Sequence, residues 1–401
     1  MRYARRFLTA ARALLVGVLT GCAVMSAAAV VGSATLEPYE INAIIPLTGG
    51  GAFLGKAYVE TFRAVEQLVN STGGIQGHPI KFVTADTQTN GQVDVELVNS
   101  LIAKHVPVFI DGAPSTVCLP SIPLVVNNGP VDYCLSPVIH PPAGSYVFST
   151  NASTFDLASV AIRYLRERGW KRISMITSTD STGQEYDRQI ATVLALPENR
   201  DMQLVMHEHF NPADISVNAQ LTRLKSANSQ AILAYTTGTP LGTVLRGLND
   251  AGFVQPVITL NSNMSYAQMS AYASFLPKEM YFTTLRSGTP EGTSRGPLHD
   301  AETAYLKAFR AIDVRPDVGD VLAYDPTMII VSALRHLGTH ATAQQIRDYI
   351  LHLHGWIGAN GVYEFSSGDQ RGIGQNSIVV ARWSTEQSTW VQVSRPRGVL
   401  K

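Results

Sequence analysis

Residues 41–45 read INAII, residues 55–70 GKAYVETFRAVEQLVN and residues 80–85 IKFVTA. The outer two are short, apolar and β-branched runs of strand length. The middle one repeats with the helical period through Val59, Phe62, Glu66 and Val69, a stripe apolar at all but Glu66. A strand, a helix and a strand in so few residues predict a crossover between parallel strands. The pattern continues with a helix over 93–103, carrying Val95, Val98 and Ile102 on one face, and a strand over 106–110.

A second series opens at Asn151. Ser153 and Asp156 stand three apart, as in a capping box, before a helix that carries Phe155, Ala158, Ile162 and Leu165 and ends at Gly169. Strands over 173–177, 204–206, 231–235 and 257–260 then alternate with helices around Tyr186, Ile190 and Val193, around Leu221 and Leu224, and around Leu241, Val244, Leu245 and Leu248. The tail adds helices around Ala304, Tyr305, Ala308 and Ile312, over 325–337 and over 346–351, then strand-like pieces over 362–365, 377–383 and 390–393. The expected fold class is α/β, with two doubly wound parallel-sheet lobes and no flexible linker between them.

With 401 residues and 45% hydrophobic side chains the chain can build a sizeable core. Its 31 basic residues balance 31 acidic ones, so the field that gathers nucleic acid is missing and no nucleic-acid partner is expected. Arg2, Arg5 and Arg6 precede an apolar run, interrupted at Arg12, that reads as an export signal over residues 1–34. Leu19-Thr20-Gly21-Cys22 resembles a lipobox, in which Cys22 is the lipidation site; Gly32-Ser33-Ala34 suits ordinary cleavage equally well. Cys118 and Cys134 are then left as a pair outside the cytoplasm, which favours a disulfide over two buried thiols.

Catalytic signatures are lacking. The chain has no His-Glu-x-x-His, no Gly-x-Ser-x-Gly elbow and no P-loop. His207 and His209 flank Glu208 at a strand exit and so share a face, but two ligands alone make a poor metal site. Neither enzyme activity nor a cofactor nor a metal is expected.

Local patterns carry a family resemblance. Ile44-Ile45-Pro46-Leu47-Thr48-Gly49 followed by Gly55, then Gly73-Gly74-Ile75-Gln76-Gly77, then Asp86 closing a strand, occur in the order seen in the branched-chain amino acid (Leu/Ile/Val) type of type I periplasmic binding proteins, substrate-binding components of ABC transporters. Gly112-Ala113-Pro114-Ser115-Thr116, Ser136-Pro137, Asp250-Ala251-Gly252-Phe253 and Ala323-Tyr324-Asp325 extend the resemblance over residues 39–393. It implies three crossings between lobes, near Asn151, Leu285 and Gly358. One lobe would hold 39–151 plus 286–358 and the other 152–285 plus 359–393. It further implies a monomeric periplasmic receptor that captures a small molecule in the interlobe cleft and delivers it to a membrane permease by hinge closure. A periplasmic sensor of the same fold, or a binder of branched-chain amino acids proper, are the alternatives.

In open parallel sheets a ligand sits beyond the carboxyl ends of the strands. Those ends are 46–54, 112–116 and 135–140 in one lobe, and 178–182, 236–238 and 261–263 in the other. Ser115 and Thr116 stand before a helix, as an ordinary cap pair or as the anchor for a carboxylate. By the resemblance, Ser136 and the backbone at Val138 complete that anchor. Phe53, Leu54, Val138 and Tyr324 are candidates for the apolar wall, His140 for a proton-dependent donor, and Thr182, Thr237, Gly238 and Asn261 for the facing lobe.

Amino-acid-binding members of the family carry aromatics where this chain has Leu54 and Thr182, and an acidic residue near Asn261. Asn261-Ser262-Asn263 has no charge to meet an ammonium, whose enclosure without a carboxylate costs several kcal/mol. Unless Asp180 or Glu185 has taken that role, the expected ligand is a carboxylate or neutral polar molecule with an apolar or aromatic body.

Overall fold

The computed structural model describes residues 36–289, 295–365 and 368–401; the export signal and Cys22 lie outside them. The elements run β1 (Tyr39–Ile45), α1 (Ala52–Ser71), β2 (Ile80–Asp86), α2 (Gly91–Ala103), β3 (Val108–Asp111), α3 (Ser115–Cys118), α4 (Ile122–Val125), β4 (Val131–Cys134) and β5 (Val147–Ser149). Next come α5 (Thr154–Glu167), β6 (Arg172–Ser178), α6 (Ser181–Leu194), β7 (Gln203–Phe210), α7 (Asn218–Ser226), β8 (Ala231–Tyr235), α8 (Thr239–Asp250), β9 (Val257–Leu260), α9 (Tyr266–Ala271) and β10 (Met280–Leu285). The chain then forms α10 (Pro297–Arg310), α11 (Val318–Leu337), α12 (Ala343–Leu351), β11 (Trp356–Ile357), β12 (Val362–Tyr363), β13 (Ile378–Ser384) and β14 (Thr389–Gln392). Among the described residues no helix is long and apolar enough to cross a membrane.

Two lobes result. The first has a parallel sheet in the order β2-β1-β3-β4-β5; the second has β7-β6-β8-β9-β10, also parallel, extended by antiparallel β13 and β14. Counted within each lobe, the parallel order is the same, 2-1-3-4-5, although no sequence repeat announces it.

The helix α1 buries Leu54, Tyr58, Phe62, Val65 and Val69, with Phe62 stacked on Phe82 of β2 at 4.4 Å. The stripe expected through Val59 and Glu66 is thus rotated. Glu66 leaves the core because its Oε1 accepts the Phe82 amide at 2.6 Å, a bond the apolar reading had no place for.

The helix expected to begin at Asp325 begins instead at Val318, with Asp317 as its cap and Pro326 inside it. Proline has no amide to give to the carbonyl four residues back, which is Leu322. Thr150 Oγ1 supplies the missing donor at 2.6 Å, so the helix survives its proline. Around the same turn, Asp325 accepts the amides of Ala359 (2.9 Å) and Asn360 (2.7 Å) and the hydroxyl of Tyr363 (3.1 Å), and Asn360 Nδ2 donates to Val321 O at 2.8 Å. Ser287 Oγ donates to Asn360 Oδ1. Thr150 and the 359–363 segment thus meet on one turn of α11, and Ser287 reaches it through Asn360.

Cys118 and Cys134 are joined in a disulfide, their Cα atoms 6.5 Å apart, in a small second core with Ile44, Val98, Phe109 and Val147. The link holds α3 to strand β4.

Asp325→Ala leaves three buried donors without an acceptor, each worth roughly 1–3 kcal/mol when orphaned. The variant is expected to lose at least that much unfolding free energy in a urea titration; an unchanged midpoint would show the α11 turn to be dispensable.

Candidate functional site

In a 2-1-3-4-5 sheet the strand order reverses beside the first strand, and the loops leaving the first and third strands part there to form a crevice. Here those loops follow β1 and β3 in one lobe, and β6 and β8 in the other. In each lobe the first helix must pass close to the end of its own strand. A side chain at Gly55 of α1 would stand 2.0 Å from the Pro46 carbonyl, and one at Gly183 of α6 would stand 1.7 Å from that of Ser178. Glycine at both places lets α1 and α6 start at the crevice.

The two crevices face each other. Between them Leu54, Ala113, Pro114, Ser115, Ser136, Pro137, Val138 and Leu322 oppose Thr182, Tyr186, Thr237, Leu260, Asn261 and Ser262, around a narrow hollow of about 30 Å³. Every lining side chain is uncharged. The lobes touch directly: Ser115 Oγ lies 2.7 Å from Ser181 Oγ, and His140 Nε2 lies 2.7 Å from Glu185 Oε1. Thr237 Oγ1 meets Ser262 Oγ at 3.0 Å, while the buried Asn261 Nδ2 has no hydrogen-bond partner. A larger, more open hollow of about 720 Å³ lies beside Lys56, Tyr266, Arg315 and Trp383. None of the strand-end loops enters its lining, so the interlobe cleft is the better candidate.

A family model described as periplasmic binding protein matches residues 38–388. The chain belongs to the periplasmic binding protein family. The Leu/Ile/Val-binding protein homolog 3 of Brucella melitensis is 22% identical over 312 residues, covering 77% of this chain and 81% of its own. A solute binding protein of an ABC transporter from Rhodopseudomonas palustris, solved with benzoate, superposes with a TM-score of 0.75 at 15% identity, over 91% of this chain and 97% of its own. The branched-chain amino acid transporter substrate binding protein of Streptococcus pneumoniae, solved with isoleucine, does so with a TM-score of 0.72 at 17% identity, over 88% and 99%. Periplasmic binding proteins of this type bind small ligands and work with ABC permeases.

Of the residues singled out from sequence, this periplasmic binding protein brings Leu54, Ser115, Ser136, Val138, Thr182, Thr237 and Asn261 together around the cleft. Phe53 and Gly238 are not in the lining but stand next to each other: a side chain at Gly238, whose φ is +84°, would approach the Phe53 ring and the Gly50 carbonyl at 3.5 Å. Three expectations need correction. Thr116 is exposed, and the helix it was to open is only four residues long, cut short before Pro120 and Pro123, so it has no dipole with which to anchor a carboxylate. Tyr324 faces the first-lobe core against Tyr305 and Phe309, with centroids 4.9 and 6.1 Å away, because α11 begins earlier than expected. His140 is turned to Glu185 at the rim instead of into the hollow.

Leu322 and Tyr186 escaped the sequence reading. Leu322 falls in the stretch of α11 that the proline hid; Tyr186 counted only as helix periodicity. Arg371 was also missed. It is buried, and its guanidinium donates to Ser149 Oγ (2.7 Å), to Pro137 O (3.0 Å) and to Ile139 O, fixing the 136–140 loop. Burial without a carboxylate in contact lowers its pKa to about 10.

Neither acidic residue near the cleft is free for a ligand ammonium. Asp180 caps α6, accepting from the Gly183 amide at 3.1 Å and from Ser178 Oγ at 2.7 Å. Glu185 accepts from His140, from Thr154 Oγ1 (2.6 Å), from Arg188 (2.6 Å) and from Gln189 (2.9 Å). Burial alone would raise its pKa, but these four donors outweigh it and hold the carboxyl at about 2. A depressed carboxylate pKa stabilises the fold above its unfolded value, and that stabilisation fades as pH falls from about 4.5 toward 2. Glu185→Gln should therefore melt below the wild type at neutral pH, with the gap narrowing on acidification through that window. A gap independent of pH would sever the link between charge and rim.

Proposed function

We propose that the chain is the extracytoplasmic receptor of an ABC importer, acting in the periplasm as a monomer. Its ligand is a small carboxylate or a neutral polar molecule with an apolar or aromatic body. Its lobes are 39–151 plus 286–358 and 152–285 plus 359–393, and they close over the ligand about the three crossings.

The uncharged lining carries this reading. A buried ammonium needs a carboxylate, and the two acids nearby are already engaged by other partners. A carboxylate can instead be met by neutral donors. Ser115, Ser136, Thr182, Thr237 and Ser262 offer hydroxyls, and Asn261 offers an unpartnered amide. The helices α1 and α6 send Leu54 and Thr182 from their first turns into the lining, and α8 starts two residues after Thr237. Each amino end adds about 0.3–1 kcal/mol for an anion. Leu54, Pro114, Pro137, Val138, Tyr186, Leu260 and Leu322 supply apolar walls around this polar set. The structural neighbour solved with benzoate holds a ligand of that class, an aromatic carboxylate.

The remaining hollow is too tight to admit such a ligand without the lobes parting, and only a ligand that prefers the closed form drives closure. A thermal-shift screen of aromatic acids, branched-chain amino acids, aliphatic diacids and amides tests the assignment, since a ligand at about 100 times its Kd adds roughly 2.7 kcal/mol. Aromatic acids are expected to raise the midpoint. A response to leucine or isoleucine alone would replace this reading with the amino-acid one. For the ligand found, Thr237→Ala combined with Asn261→Ala should weaken binding by roughly 1–3 kcal/mol per lost partner.

A further inference from the structure

Away from the cleft, Asp187 joins the two histidines that strand alternation puts on one face of β7. On that strand His207 and His209 point toward α6, and Glu208 points the other way, where Arg223 of α7 grips it with two bonds of 2.8 and 2.6 Å. That grip fixes which face the histidines take. Asp187 projects from α6 to meet them: its Oδ1 lies 2.9 Å from His207 Nε2 and its Oδ2 lies 2.8 Å from His209 Nε2. The imidazole centroids are 4.2 Å apart, and one nitrogen from each ring and a carboxylate oxygen all lie within 4.8 Å of one another.

We propose that Asp187, His207 and His209 form a binding site for a divalent transition-metal ion of the zinc class. In a tetrahedron with bonds of about 2.0–2.2 Å, ligand atoms stand roughly 3.3 Å apart, inside the range seen here. Two imidazoles select zinc or copper over magnesium or calcium, which prefer all-oxygen sets. One carboxylate offsets half of the ion's charge, and the fourth position faces solvent on the side of the half-exposed His209. Thr177 Oγ1 lies 3.1 Å from the same His207 Nε2, so its hydroxyl has to turn away when that nitrogen takes the ion. An ion held here ties α6 to the sheet's edge strand. The same helix gives Thr182 and Tyr186 to the cleft, so the metal stiffens one wall of the ligand site from outside.

The site is independent of the ligand assignment and can be tested without any ligand. Zinc chloride is titrated into the full chain in competition with a chromophoric zinc chelator, alongside His207→Ala/His209→Ala and, as a milder change on an exposed side chain, His209→Gln alone. Circular dichroism checks that each variant is folded. The wild type is expected to take up one equivalent that the double variant loses, with affinity falling at least tenfold, and His209→Gln is expected to fall between them. Copper bound at one equivalent should show nitrogen coupling in its paramagnetic resonance spectrum that the double variant lacks. Equal zinc affinity in the folded double variant and the wild type would overturn the site, as would no uptake by the wild type.

Discussion

The architecture rests on one turn of α11 whose carbonyls and carboxylate are served by donors from distant segments. Pro326 leaves the Leu322 carbonyl without its helical partner, and a buried acceptor in that state is costly. Thr150 supplies one donor, and the 359–363 segment satisfies Asp325 and Val321. Segments near 150, 287 and 360 are thereby linked by hydrogen bonds, with Phe148 and Phe365 packed edge to face beside them. Leu322, whose carbonyl accepts from Thr150 in this junction, also sends its side chain into the cleft lining, so junction and pocket share a residue.

Strands and helices are readable in this sequence wherever periodicity has room to show. The runs around Ile41, Ile173, Ala231 and Val257 are strands, and the amphipathic segments between them are helices. Strands β4 and β5, four and three residues long and buried throughout, show no alternation, and neither does the fully buried β10, so none of the three stands out in the sequence. The start of α11 is misjudged for a specific reason: a proline normally marks a first turn, and the side chain that excuses it is 176 residues earlier in the chain. The site divides the same way. Loop positions after strand ends are predictable from the parallel order alone, whereas Arg371, Leu322 and Asp187 are placed by long-range packing for which local spacing carries no signal.

Charge is present near the cleft but kept out of it. Glu185, His140 and Arg188 form a cluster at the rim, Asp180 is spent on a helix cap, and Arg371 is buried behind the loop it holds. The hollow therefore offers hydroxyls, amides and hydrocarbon. Such a surface recognises a guest by shape and by the count of satisfied donors.

The hydroxyl pair Ser115–Ser181 is a direct polar contact between the two walls, beside the His140–Glu185 pair at the rim. Parting the hydroxyls exchanges one oxygen partner for water, a trade of nearly equal enthalpy, so this contact by itself latches the walls only lightly. A binding protein has to release its ligand as well as hold it, and so weak a contact adds little to the work of release.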